Sequence, residues 1–333
     1  MKVLFIGGTG NISTSVSRLC IERGIDLYLL NRGKRKVKIP GAKTIKGDIS
    51  QPNQLAPILS NHRWDAIVDW VAFTRDQVER DIELFRDRTN QYIFISSASA
   101  YQKPPSYPIV TESTPLFNPY WEYSRNKIVC EERLNLAYRE EGFPITIVRP
   151  SFTYDTVIPL AIGGWDEYTT IDRMKNGKKI IVHGDGTSLW TITHAEDFAK
   201  GFVGLIGNRK AIGHPFQITS DEALTWDQIY RMTAEAAGVE PKIIHIASDF
   251  ICQQDNSLTG PLLGDKSYTA IFDNSKIKAF VPEFKATIPF SEGVKKTLAW
   301  FDADPKRKIV RAETNAKMDG IIQAYESGKA GKQ

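Results

Sequence analysis

Cysteine is scarce in this chain: Cys20, Cys130 and Cys252 are the only three, they lie far apart, and no CxxC pair occurs. That spacing argues against a disulfide framework and against a structural zinc site, and no other segment has metal-ligand spacing. A reducing, cytoplasmic compartment is expected. Long apolar runs are also missing. No stretch approaches the ~18–20 apolar residues of a membrane span. The run Val3–Ile6 breaks at Gly7 and Gly8, which is too short for a secretory signal. There is no dense field of one charge either. A net charge of +4 is mild for 333 residues and makes nucleic acid a poor expectation as partner. The densest basic run, Arg32 to Lys38 with Lys34, Arg35 and Lys36 between, is short enough to be a solvated loop.

What is present supports a sizeable core: hydrophobic residues make up 41% and charged residues 25%. A single core stops growing near ~250–300 residues, so two lobes are expected. Short apolar runs alternate with amphipathic ones through the first half. Lys2–Ile6, Asp26–Leu30, Thr44–Ile45, Ala66–Val71, Tyr92–Ile95 and Ile145–Val148 read as strands. Ile12–Arg23, Asp76–Phe85 and Tyr123–Glu141 read as helices between them. That rhythm predicts right-handed βαβ units and an α/β, Rossmann-like doubly wound parallel sheet. After Pro150 the rhythm changes. Residues 1–155 are expected to form the nucleotide-binding domain, with 190–225 returning to it. Residues 156–189 and 226–313 are expected to form a smaller α+β substrate lobe, and 314–333 a polar tail or a helix that frays.

Gly7-Gly8-Thr9-Gly10-Asn11-Ile12-Ser13 joins the first strand to the first helix. In that context glycines permit a tight turn and close approach of a pyrophosphate, and the helix N-terminus offers free N–H groups. Gly7, Thr9, Gly10, Asn11 and Ile12 are therefore candidates for holding a dinucleotide. The third glycine of the pattern is Ser13, small enough for close helix–strand packing. After the second strand stands Asn31-Arg32 in place of an acidic residue. A guanidinium there suits a 2′-phosphate, so NADP(H) is expected over NAD(H). Asp48, followed by Ile49, is placed to accept a bond from the adenine amino group.

Tyr123 and Lys127 stand four apart at the start of a long helix and share a face. An ammonium near a phenol favours the phenolate and lowers its pKa. Such a Tyr moves a proton to or from a substrate oxygen while hydride moves at the adjacent carbon. Upstream, the strand Tyr92–Ile95 runs into Ser96-Ser97-Ala98-Ser99. Strand C-termini are where open α/β sheets place ligands, so Ser97 is a candidate partner for the same oxygen.

With GGTGNIS, GD at 47–48, ISSAS, Thr111-Glu112, YSRNK, Val148-Arg149-Pro150 and GDGTSLWTITHAEDFA at 184–199 in order, the chain resembles the extended short-chain dehydrogenase/reductase family, the NAD(P)-dependent epimerase/dehydratase group. The resemblance implies Tyr123 as acid/base, Lys127 also bonding the nicotinamide ribose, and Ser97 orienting substrate. It implies Val71, Ala72, Ser96 and Pro150 along the cofactor, and a homodimer formed through the helix carrying Tyr123.

The chain departs from that family at two places. Ala98 and Ser99 stand where sugar dehydratases carry acidic residues, and Trp190 stands where nucleotide-sugar epimerases carry an Arg that clamps the diphosphate. Arg173 and Arg209 are alternative clamps. Ser99 and Trp190 remain candidates for touching substrate, and core packing is the bland reading of Trp190. His183 and His194 are read as packing or capping residues. A small-molecule substrate, a sugar or nucleotide sugar, is expected. The alternatives are an NADPH-dependent carbonyl reductase and, as in the chloroplast stem-loop-binding branch, a non-enzymatic RNA binder.

Overall fold

The computed structural model describes residues 1–34, 37–60 and 62–330. Arg35 and Lys36 of the basic run lie outside the described residues, as do the last three residues of the stretch expected to be a tail.

Seven strands form one parallel sheet: β1 (Lys2–Ile6), β2 (Asp26–Asn31), β3 (Lys43–Lys46), β4 (Ala66–Asp69), β5 (Tyr92–Ile95), β6 (Ile145–Pro150) and β7 (Pro215–Ile218). Their order across the sheet is β7-β6-β5-β4-β1-β2-β3. The chain winds one way from β1 to β3 and the other way from β4 to β7, so the direction of winding switches between β1 and β4. In such sheets the crevice beyond the strand C-termini at that switch receives the ligand. The central strands β4, β5 and β6 are buried along their whole length, which is why their sequences are continuous apolar runs. Edge strand β3, KTIK, is mostly exposed.

Helices cover both faces. On one side, Val16 and Cys20 of Asn11–Glu22 pack with Phe198, Phe202 and Val203 of Ala195–Leu205 against Val3, Phe5 and Leu27. On the other, Leu55 and Leu59 of Pro52–Ser60, Val78 and Ile82 of Arg75–Phe85, and Cys130 and Leu134 of Glu122–Glu141 pack on Leu4, Ile67 and Phe94. The helix Glu122–Glu141 stops at Gly142, which takes a left-handed conformation at φ 68°. β4 ends two residues earlier than the apolar run suggests. The Asp69 carboxylate accepts the backbone N–H groups of Val71 and Ala72 and turns the chain out of the sheet.

The second lobe is held by an aromatic core that includes Phe152, Trp190, Trp226 and Phe290. Short strand pairs frame it, among them Lys179–His183 with Lys242–Ile246. The segment read as a polar tail or a fraying helix is the helix Ala312–Ala330. Met318, Ile321 and Ile322 form a buried stripe against Ile181 and Ile246, and a polar composition hides that stripe. Fully buried Arg173 fastens the helix, donating to Asn315 Oδ1 at 2.9 Å and to Asp319 Oδ1 at 2.7 Å.

Candidate active site

The loops beyond β1, β2, β4, β5 and β6 line one continuous cavity of about 1320 Å³. It runs from Asn31, Arg32 and Asp48 past the glycine turn to Ser97, Tyr123, Lys127 and Pro150. Thr9, Asn11, Ile12, Ile49, Val71 and Ser96 also line it.

The turn opens on two glycines in conformations that side chains rarely adopt. Gly7 and Gly8 have φ of 98° and 93°, a region that favours glycine. A Cβ on Gly8 would stand 2.7 Å from Leu29 Cδ2. Gly8 was not among the candidates, although the paired glycines signal it. Gly10 is extended and precedes the helix Asn11–Glu22, and its N–H donates to Ser13 Oγ at 2.8 Å. Ser13 thus caps the helix from the place where the usual pattern has glycine. Asn11 uses its side chain to tie the turn to the segment after β6, donating to the Thr153 carbonyl at 2.9 Å.

At the end beyond β2, Asn31 Oδ1 accepts the Gly33 N–H at 2.9 Å and fixes the bend that carries Arg32. Arg32 Nη1 lies 3.9 Å from Asp48 Oδ2. The Asp48 carboxyl is held below its ordinary range by bonds from the Ser50 N–H and hydroxyl, with Arg32 and Lys34 adding to the effect. Lys34 and Lys38 line the same mouth.

At the opposite end, Ser97 and Tyr123 line the cavity together, and burial pushes the Tyr123 phenol above its ordinary pKa, with Ser97 opposing and the Asp265 charge adding to the rise. Lys127 is 2% exposed. Its Nζ donates to the Ala72 and Ile95 carbonyls, both at 2.7 Å, and lies 5.8 Å from the Tyr123 ring centre. Burial pulls Lys127 down to about 8. The sequence reading expects the Lys127 ammonium to lower the Tyr123 pKa; in the structure that ammonium is bonded to two carbonyls and burial of the phenol acts the other way. Ala72 reaches the site through that carbonyl, while its side chain is buried.

Two expected substrate contacts change place. Ser99 is buried behind Ser97; its hydroxyl lies 2.8 Å from Ser97 Oγ and accepts from Ser124 Oγ at 2.7 Å. Trp190 is 2% exposed, stacks on Trp226 at 5.9 Å and lies outside the cavity lining. The alternative clamps are displaced as well. Arg173 is committed to the C-terminal helix, and Arg209 borders a depression with Met1 and Asp65, at the N-terminal end of the strands. His194 caps the helix Ala195–Leu205, its Nδ1 accepting the Glu196 N–H at 3.3 Å. Trp165 of the second lobe, to which no motif pointed, lines the cavity and packs on Phe152 at 4.8 Å. Among the described residues no group of three or more His, Cys, Asp or Glu is placed to hold a metal ion, and no helix is long and apolar enough to cross a membrane.

The residues fit a dinucleotide: left-handed glycines at a helix N-terminus, cations at one end, and a Tyr, a Ser and a Lys at the other. The NAD dependent epimerase/dehydratase family model matches residues 3–219. The chain is 28% identical over 259 residues to the chloroplast stem-loop binding protein of 41 kDa b from Arabidopsis thaliana, covering 73% of this chain and 65% of that protein. It is 31% identical over 169 residues to a UDP-glucose 4-epimerase from Lactobacillus helveticus, covering 45% of this chain and 51% of that enzyme. The chain thus spans about half to two thirds of the length of these curated relatives. The fold is that of UDP-glucose 4-epimerase from Bifidobacterium longum, solved with NAD+ and UDP: TM-score 0.73, 16% identity, 93% of this chain and 100% of that one.

Proposed function

Because the chain belongs to the NAD dependent epimerase/dehydratase family, we propose that it is an oxidoreductase acting at a hydroxyl or carbonyl carbon of a sugar-like substrate. The observation that carries this reading is the single cavity lined by the glycine turn at one part and by Ser97, Tyr123 and Lys127 at another. A bound nicotinamide dinucleotide supplies or accepts the hydride. The backbone from Gly7 to Ile12 holds its phosphates. The Tyr123 phenol exchanges a proton with the substrate oxygen, and Ser97 Oγ orients that oxygen. Lys127 supplies positive charge beneath the site.

A second reading, an NADPH-dependent reductase of free carbonyl compounds, is favoured by Arg32 at the cavity mouth and by the burial of Trp190 and Arg173, which leaves the expected diphosphate clamp without its residues. The likeness to a stem-loop binding protein raises RNA binding as the non-enzymatic outcome, which the net charge of +4 and the assembled Tyr–Ser–Lys group disfavour.

Tyr123→Phe tests the reading. With a panel of sugars, sugar acids and carbonyl compounds, turnover is expected to fall by at least ~100-fold while dinucleotide affinity stays within twofold. Retained turnover would remove Tyr123 from this role.

A further inference from the structure

Among the described residues, Trp165 is the only one beyond Ser151 that lines the cavity. Every other lining residue belongs to the sheet, its loops or the helices packed on it. The fold places this indole at the reactive end. Ile95 pairs with Val148 across β5 and β6, so Ser97 and Pro150, each two residues further on, leave the sheet side by side. Phe152 follows Pro150 by two residues, and the Trp165 ring packs on it at 4.8 Å with 35° between the planes. Phe73, also in the lining, stands by Tyr123 with 6.2 Å between ring centres.

The loop that presents the indole is tightly built. Gly163 and Gly164 take φ of 112° and 88°, and a Cβ on them would run into Thr170 and Glu167 respectively. The Trp165 carbonyl accepts the Ile158 N–H at 3.1 Å. Glu167 is buried and lies 2.9 Å from Arg311 Nε, and the Tyr168 N–H donates to the Ile309 carbonyl at 2.8 Å. So held, Trp165 keeps 41% of its surface exposed, while Trp190 and Trp226 of the neighbouring core are buried. A large apolar side chain fixed in an exposed position on a cavity wall marks a ligand-facing surface.

We infer that Trp165 is a specificity-determining residue whose indole face packs against an uncharged sugar ring of the substrate beside the reacting carbon. That the ligand there is the substrate rests on the oxidoreductase reading above. The dinucleotide has its own holding residues on the sheet side, at the glycine turn and around Asn31 and Asp48, which leaves the indole to the second reactant. An indole offers a flat apolar face. The C–H face of a sugar ring covers it, whereas a short open-chain carbonyl covers little of it and gains correspondingly less. Trp165 brings no charge, and no other residue after Ser151 accompanies it in the lining, so a charged group against it would be desolvated without a partner. The site therefore prefers cyclic over open-chain substrates.

The test reads the indole directly. The emission of wild type minus that of Trp165→Phe isolates Trp165. The full chain, with and without NADP+, is titrated with D-glucose, D-galactose and UDP-glucose as ring probes and with D-glyceraldehyde as the open-chain probe. At least one ring probe is expected to change that emission saturably, and D-glyceraldehyde at equal concentration is not. By calorimetry, Trp165→Ala should weaken binding of the same ring probe about tenfold, Trp165→Phe should restore it to within about threefold, and NADP+ affinity should stay within about twofold in both. If Trp165→Ala does not fold, the emission difference decides alone. No saturable response to any ring probe, an equal response to D-glyceraldehyde, or unchanged ring-probe affinity in Trp165→Ala overturns the inference. So does a response to NADP+ alone joined to a tenfold loss of NADP+ affinity in Trp165→Ala, which would give the indole to the nicotinamide. Ring-probe binding as expected in a protein that turns over no hydroxyl or carbonyl compound would instead overturn the oxidoreductase reading and leave the indole site standing.

Discussion

Replacing Arg32 by Ala probes the specificity end of the cavity. The bend at Asn31–Gly33 sets the guanidinium at the mouth, where its side chain is 60% exposed and 3.9 Å from Asp48. A charge-assisted bond from arginine to a phosphate contributes ~1.5–3 kcal/mol. Two features pull this case toward the lower bound. Solvent screens an exposed pair, and Asp48, kept ionised by its bonds from Ser50, competes for the guanidinium and repels a phosphate. The expected loss is therefore ~1.5 kcal/mol, about tenfold in NADP(H) affinity, with NAD(H) affinity changed by less than twofold. Fluorescence titration of the nicotinamide with wild type and Arg32→Ala measures both. The NADPH affinity of the wild type should also fall from 50 to 300 mM salt more steeply than that of the variant, because screening acts on the phosphate contact. Equal losses for NADPH and NADH would refute the reasoning and leave Arg32 as a solvated residue.

Two further outcomes follow from the core of the second lobe. His183 is buried, and burial pulls its pKa down to about 4 from the ordinary 6.5. The unfolded chain takes up a proton below 6.5 that the folded one refuses until about 4. Stability from this residue is thus complete above the unfolded pKa and is lost as pH falls across that window, by about 3 kcal/mol. Urea unfolding of wild type and His183→Gln between neutral and acid pH should show a flatter dependence in the variant; parallel curves would contradict the assignment. Trp190→Phe should lower stability by ~1–3 kcal/mol through lost packing and leave KM within twofold, as a core residue requires, whereas a large rise in KM with unchanged stability would return Trp190 to the substrate.

The sheet was legible because its central strands are buried on both faces. Lys2–Ile6 and Tyr92–Ile95 are apolar runs bounded by glycine or serine, and their limits match the strands observed. The helix Pro52–Ser60 escaped notice because Pro57 lies inside it, and proline argues against a helix interior. The packing of the helix Ala312–Ala330 was hidden by its composition: Met318, Ile321 and Ile322 form a short buried stripe in a largely polar segment. In the site, the order of motifs brought Tyr123, Lys127 and Ser97 to one cavity. The fate of the Lys127 ammonium was not readable, because its partners are backbone carbonyls of Ala72 and Ile95, which carry no residue-type signature.

The central claim is that the cavity beyond the glycine turn holds a nicotinamide dinucleotide. Its most direct test is to denature the purified protein, identify any released nucleotide by mass spectrometry, and titrate the emptied, refolded protein with NADPH and NADH. Saturable binding at one site is predicted, with NADPH held more tightly. Tightly retained NAD would keep the claim, overturn the cofactor preference and point to an epimerase-type cycle. Binding of neither dinucleotide by a folded protein would contradict the account.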